Sequence, residues 1–179
     1  MQATTIAEGN YLGLYARDGW EFSDRPNATG VVGILPITAD GQLVLIEQYR
    51  VPVQARMIEI PAGLVGDEEE FQGESLADCA GRELLEETGY RAGVITHLLS
   101  SPTSAGMTSE TTHFFAATDL HRESAGGGTE SEDITVHHIA IAELTDWLKQ
   151  QESAGKLIDF KIHACMFLAQ QSGLITTEA

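Results

Sequence analysis

The stretch from Ser75 to Gly89 carries helix signals at both ends in a chain otherwise rich in strand-like runs, and it restricts the fold more than any other segment. Ser75 is a suitable N-cap, with Asp78 standing where a capping box usually has glutamate. Gly89 suits a left-handed C-cap, so a helix should run from Leu76 to about Thr88. On a wheel of about 100° per residue with Leu76 at zero, Ala80 falls at about 40°, Glu87 at about 20° and Glu83 at about 340°. Two carboxylates therefore share the apolar stripe, whereas a merely solvated acidic face would lie opposite it. Glu83 and Glu87 stand about one turn apart with Glu86 beside them, an arrangement that repels itself unless cations intervene. Hard oxygen ligands of this kind suit Mg²⁺ or Mn²⁺, ions that bind phosphates through the same coordination shell.

The runs on either side are β-rich. Residues 11–25 read as one or two short strands or an arm. VVGILPIT (31–38) and LVLIEQYR (43–50) flank Asp40-Gly41, a hairpin signal. RMIEIPAG (56–63) reads as a further strand, stopped by Pro61 and Gly63, and LVGDEEEFQG (64–73) as an acidic loop. Strands are expected at 94–101, 112–120 and 133–141, with a glycine-rich, acidic and mobile loop at 122–132. Two helices, 143–151 and 161–171, should close the chain, the second burying Ile162, Cys165, Met166 and Ala169. Strands with one embedded helix and helices at the end imply an α/β sandwich in which helices cover a mixed sheet.

A formal net charge of −17 disfavours nucleic-acid and anionic-membrane partners, and an anionic substrate would need a local cation. No apolar run approaches the roughly 18 residues of a membrane span, and MQATTIAEGN lacks a basic region followed by an apolar run, so a soluble cytoplasmic protein is expected. Cys79 and Cys165, far apart and outside any CxxC pattern, read as reduced structural thiols.

Glu74, then SLADCAG, then Arg82-Glu83-Leu84-Leu85-Glu86-Glu87-Thr88-Gly89-Tyr90 resemble the Nudix hydrolase signature GX5EX7REUXEEXGU, where U is bulky and apolar. Tyr90 fits the last slot loosely. Gly63 precedes Glu74 by more residues than the signature allows, an apparent insertion within 64–73; Gly66 is the rival glycine and fits no better. Gly19-Trp20-Glu21-Phe22 with Arg25, Glu47-Gln48-Tyr49-Arg50 and Glu59-Ile60-Pro61-Ala62-Gly63 extend the resemblance to the ADP-ribose pyrophosphatase and nucleoside-diphosphate-sugar branch, over roughly Trp20 to Phe167.

That resemblance implies a Nudix α/β/α sandwich over residues 31–179 behind an N-terminal β arm, residues 1–30, that serves dimerisation. It implies two or three Mg²⁺ ions, with Mn²⁺ an alternative, held by Glu83, Glu87, Glu86 and the carbonyl of Ala62. Gly63, Glu74, Arg82 and Gly89 would be structural, with Arg82 and Glu74 paired. Trp20 would stack on a nucleobase, though a core or interface tryptophan is the plain alternative. Arg50 would fork onto the diphosphate, or else form a surface ion pair. Arg25 and Glu110 are further substrate candidates, Glu110 at the end of a loop in which Ala105 replaces a usual proline. The base would be Glu132, with Glu130 its neighbour, and Glu83, Glu86 and Glu87 complete the catalytic set. His137 and His138, adjacent on an alternating strand, face opposite sides and read as structural.

The expected activity is hydrolysis of the diphosphate of ADP-ribose or a related nucleoside diphosphate sugar by a homodimer. A preference for GDP-mannose or another sugar, cleavage of modified nucleoside triphosphates, and a non-catalytic nucleotide-sugar sensor are the other readings.

Overall fold

The computed structural model describes residues 2–67, 69–128 and 133–175. Among them run β1 (Thr4–Glu8), β2 (Gly13–Arg17), β3 (Trp20–Asp24), β4 (Val31–Pro36), β5 (Gln42–Arg50), β6 (Ala55–Glu59), β7 (Ala62–Leu64), α1 (Leu76–Thr88), β8 (Tyr90–Pro102), β9 (Thr111–Arg122), β10 (Thr135–Ala140), α2 (Leu144–Ser153), β11 (Leu157–Ile158) and α3 (Phe160–Gln171). The arm holds three strands, ordered β1-β2-β3; β2 and β3 are the short strands expected within 11–25, and β1 precedes them. The remaining strands make two four-stranded sheets, β10-β5-β6-β11 and β7-β4-β9-β8. Both are mixed, with β11 parallel to β6 and β9 parallel to β4.

Helices cover both sides. α1 packs Cys79, Ala80 and Leu84 onto Val32, Ile34 and Phe115. α2 and α3 bury Leu148, Ile162, Cys165 and Ala169 against Leu43, Leu45 and Ile58. The architecture is the expected α/β/α sandwich with a mixed sheet and an N-terminal β arm. The ends of α1 follow their local chemistry: Ser75 Oγ accepts the Asp78 N–H at 3.1 Å, and Gly89 adopts φ 77°. A cap of this kind stabilises a helix by about 1 kcal/mol.

Two expectations fail for one physical reason. The turn at Asp40-Gly41 forms, closed by the Thr38 N–H on the Gln42 carbonyl at 2.9 Å. Beyond the Ile37↔Leu43 bridge, however, β4 and β5 separate into different sheets, so there is no hairpin. The strand expected over 56–63 and stopped by Pro61 and Gly63 ends at Glu59 as β6, and Ala62 opens a second, unexpected strand, β7, in the other sheet. β4 and β5 are buried along most of their length, and such strands need a partner on each edge. β4 takes β7 and β9, β5 takes β6 and β10, and a turn sets only the local reversal. The backbone at Pro61-Ala62 thus crosses from one sheet to the other under α1.

Candidate active site

That crossing is where the acidic helix meets the sheet. Glu87, 3% exposed, accepts the Ala62 N–H on Oε2 at 2.9 Å. Glu83 lies against Gly63: a methyl group there would stand 1.9 Å from Glu83 Cδ, which no real contact permits. Gly66 has nothing nearer than Thr29 Oγ1 at 4.0 Å, so Gly63 is the glycine whose missing side chain makes room for a carboxylate. Glu86 points outward, 41% exposed, with Arg82 Nη1 at 3.6 Å.

Arg82 organises this corner. It donates to Glu74 from Nη2 at 2.9 Å and from Nε at 3.4 Å, and to Glu83 Oε1 from Nη1 at 2.8 Å. Its guanidinium lies 4.1 Å from the centre of the Phe71 ring. Phe71 comes from the lengthened 64–73 loop, so the extra residues fold back and cover the arginine. Sequence reasoning missed this role, although an aromatic in an acidic loop was the available signal. Burial, then the charges of Glu86 and Asp67, push Glu83 up to about 7 against the pull of Arg82. The cause is physical: a carboxylate taken from water beside other carboxylates resists ionisation.

The described glycines of the 122–132 loop lie against the end of α1. A side chain on Gly126 would strike the Thr88 backbone at 2.4 Å, and Gly127 and Gly128 donate their N–H groups to the carbonyls of Glu87 and Glu86 at 2.8 and 3.1 Å. This part of the loop therefore satisfies the open end of α1. Glu130 and Glu132 lie outside the described residues. Asp133, just beyond them, pairs with Arg56.

The expected substrate residues sit in two places. Trp20, on β3, is 69% exposed and faces Ala105, Gly106 and Thr108 across a cleft of about 420 Å³. The arm and this loop are joined by the Ser23 N–H on the Met107 carbonyl at 2.8 Å and by Ser109 Oγ on Asp24 Oδ2 at 2.7 Å. Arg25 and Glu110 bind each other, Nε to Oε2 at 2.5 Å. Arg50, on β5, is held by Glu59 on β6, a residue not singled out from the sequence.

On the opposite face of β5, Glu47 is 6% exposed and takes Lys156 Nζ at 2.7 Å, His137 Nε2 at 3.0 Å and Arg56 Nη1 at 3.7 Å. Burial opposes its charge, yet Lys156 and His137 outweigh that and lower its pKa. His138 turns the other way, to the Tyr90 hydroxyl at 3.0 Å. Both cysteines are free and buried.

The chain matches the NUDIX domain over residues 27–159. It belongs to the Nudix family. This Nudix pyrophosphohydrolase is 37% identical over 160 residues to an ADP-ribose pyrophosphatase of Bacillus subtilis, covering 82% of this chain and 80% of that one. It is 34% identical over 140 residues to a GDP-mannose pyrophosphatase of Escherichia coli, covering 74% and 69%. It is 33% identical over 147 residues to a methanol dehydrogenase activator of Bacillus methanolicus, covering 81% and 75%. The crystal structure of an ADP compounds hydrolase aligns with TM-score 0.72 at 23% identity, across 96% of this chain and 91% of its own, and shares the fold. The hydrolase is thus of the ADP-ribose and GDP-mannose pyrophosphatase type.

Enzymes of this family generally use a divalent metal. Among the described residues no three histidine, cysteine or acidic side chains gather into a ready-made metal cage. Glu83 and Glu87 instead flank the backbone at Ala62-Gly63, with the Glu83 carboxylate seated in the space that a side chain on Gly63 would fill. Together with a buried carboxylate that resists ionisation without a cation, this fits a small divalent ion. Among the described residues no helix is long and apolar enough to cross a membrane.

Proposed function

We propose that this Nudix hydrolase cleaves the diphosphate of ADP-ribose or a related nucleoside diphosphate sugar, giving a nucleoside monophosphate and a sugar phosphate. The observation that carries the reading is the meeting of Glu83 and Glu87 with the backbone at Ala62-Gly63. Mg²⁺, with Mn²⁺ as a substitute, would be held there as two or three ions by Glu83, Glu87 and the Ala62 carbonyl, with Glu86 available from the rim. Such ions neutralise charge developing on a diphosphate and lower the pKa of bound water. Arg82 holds Glu83 in place while Glu74 and Phe71 hold Arg82. Trp20 offers an exposed indole face for the nucleobase. Arg50 donates to the diphosphate, and Arg25 and Glu110 are assigned as further substrate residues, lining with Asp24 and Thr29 a cavity separate from the cleft at Trp20. Glu132 is assigned as the base that orients the attacking water, with Glu130 as its rival.

Turnover of ADP-ribose, GDP-mannose and a nucleoside triphosphate, with Mg²⁺ and with chelator, tests this. The expected result is metal-dependent release of a nucleoside monophosphate and a sugar phosphate from one of the first two. Reaction with the triphosphate alone would sink the assignment.

We further propose a homodimer formed through the arm. The arm leaves Ile6 on β1 and Tyr11 and Leu12 in the β1–β2 connection at least half exposed, and a small sheet gains little stability until such apolar surface is covered. Light scattering should give twice the 19.3 kDa of one chain. A mass near a single chain would overturn it.

A further inference from the structure

We propose that Glu59 is a positioning residue whose buried carboxylate aims the Arg50 guanidinium into the diphosphate site. This rests on the reading that Arg50 meets the diphosphate. Leu43, Leu45 and Ile58 point into the core beneath α2 and α3. Strand alternation therefore turns Arg50 on β5 and Glu59 on β6 to the other face, where α1 packs against β4, β5 and β7. In the register Ile46↔Glu59 and Arg50↔Ala55 the two residues stand four positions apart on one face, and their extended side chains span that distance to meet. At about 3.3 Å per residue, Glu59 lies at most about 10 Å from Ala62, whose N–H holds Glu87.

The contact is a two-pronged fork. Arg50 Nε donates to Glu59 Oε2 at 2.7 Å and Nη2 to Oε1 at 3.2 Å. The Glu59 side chain is 7% exposed and that of Arg50 is 40% exposed. A carboxylate so enclosed is fixed by packing, and a fork on it fixes the plane of the guanidinium as well as its position. The bound edge is Nε and the inner hydrogen of Nη2. Nη1 and the outer hydrogen of Nη2 remain directed away from Glu59, with no hydrogen-bond partner among the described residues, and are the donors presented to a phosphate oxygen. The arginine is ordered on folding, so substrate binding does not have to order it.

Steady-state kinetics with saturating Mg²⁺, on ADP-ribose or on GDP-mannose if that turns over faster, tests the proposal. Arg50→Ala should raise KM at least about tenfold. Glu59→Gln should also raise KM, by about tenfold, with kcat changed by less than about threefold, because misplacing a binding group weakens substrate contact without touching the reacting atoms. The double variant should be no worse than Arg50→Ala alone. Effects that multiply in the double variant would overturn the proposal. So would a Glu59→Gln variant with wild-type KM, or one that shifts only the Mg²⁺ concentration for half-maximal rate. If Arg50→Ala itself leaves KM unchanged, the diphosphate role of Arg50 fails, and that outcome is distinct from the failure of Glu59 alone. Should Glu59→Gln not fold, Arg50→Lys keeps a charge on Glu59 but lacks the fork. A KM raised as in Arg50→Ala supports the proposal, and a wild-type KM overturns it.

Discussion

Glu83→Gln should remove activity by about a thousandfold or more and, at pH 8 without metal, raise the melting temperature. The loss follows if Glu83 is a metal ligand, since the amide cannot supply the anionic oxygen a hard cation prefers. The gain follows from its titration. A carboxyl moved from the usual range up to about 7 must be ionised at pH 8 against its surroundings. Each unit of displacement is worth about 1.4 kcal/mol, so charging Glu83 in its 13% exposed position costs on the order of 3 kcal/mol. The folded-state value lies above the unfolded one, so the favourable contribution is full below about pH 4.5 and is lost as pH rises through about 7. The neutral variant keeps an acceptor for Arg82 Nη1 and avoids that loss. Its advantage should therefore vanish at pH 5, and Mg²⁺ should stabilise the wild-type protein but not the variant. Melting curves at both pH values decide this. A variant with wild-type kcat would rule out Glu83 as a ligand, and an unchanged melting temperature at pH 8 would rule out the destabilising charge.

Gly63→Ala should lower kcat/KM about a hundredfold or more while leaving the fold in place. The added methyl would lie 1.9 Å from Glu83 Cδ and 2.1 and 2.3 Å from its oxygens, and no backbone atom is among those nearest contacts. Gly63 has an ordinary backbone conformation, so the substitution strains nothing local. Relief must come from moving the Glu83 carboxylate, and displacing a catalytic group by about 1 Å is enough for a loss of this size. Gly66→Ala is the control. Gly66 adopts φ 70° in open space, so alanine there should cost about 1 kcal/mol of stability and spare the activity. Equal activity of the two variants would show that Gly63 is not the glycine that accommodates Glu83.

The acidic helix was legible in the sequence because its determinants are local. Ser75, the 3.6-residue period and Gly89 act within one turn of where they stand, and the inward placement of Glu83 and Glu87 follows from the same period. α3 was legible for that reason too, with Ile162, Cys165, Met166 and Ala169 buried as their spacing requires. The strand partners were not. Asp40-Gly41 specified a reversal correctly, yet β4 and β5 went to different sheets because each needed neighbours remote in sequence. Phe71 under Arg82 and Gly126 against Thr88 were hidden similarly, since a loop residue carries no periodic signal of what it will touch.

The sequence by itself therefore determined the α1 helix, its caps and the side on which its carboxylates lie, because nearest-neighbour geometry is enough for those. Only the tertiary structure decided that Gly63 makes room for Glu83, that Ala62 holds Glu87 and that Glu59 holds Arg50. Those contacts exist because β6, β7 and α1 meet at the crossing between two sheets, and that meeting is set by long-range burial.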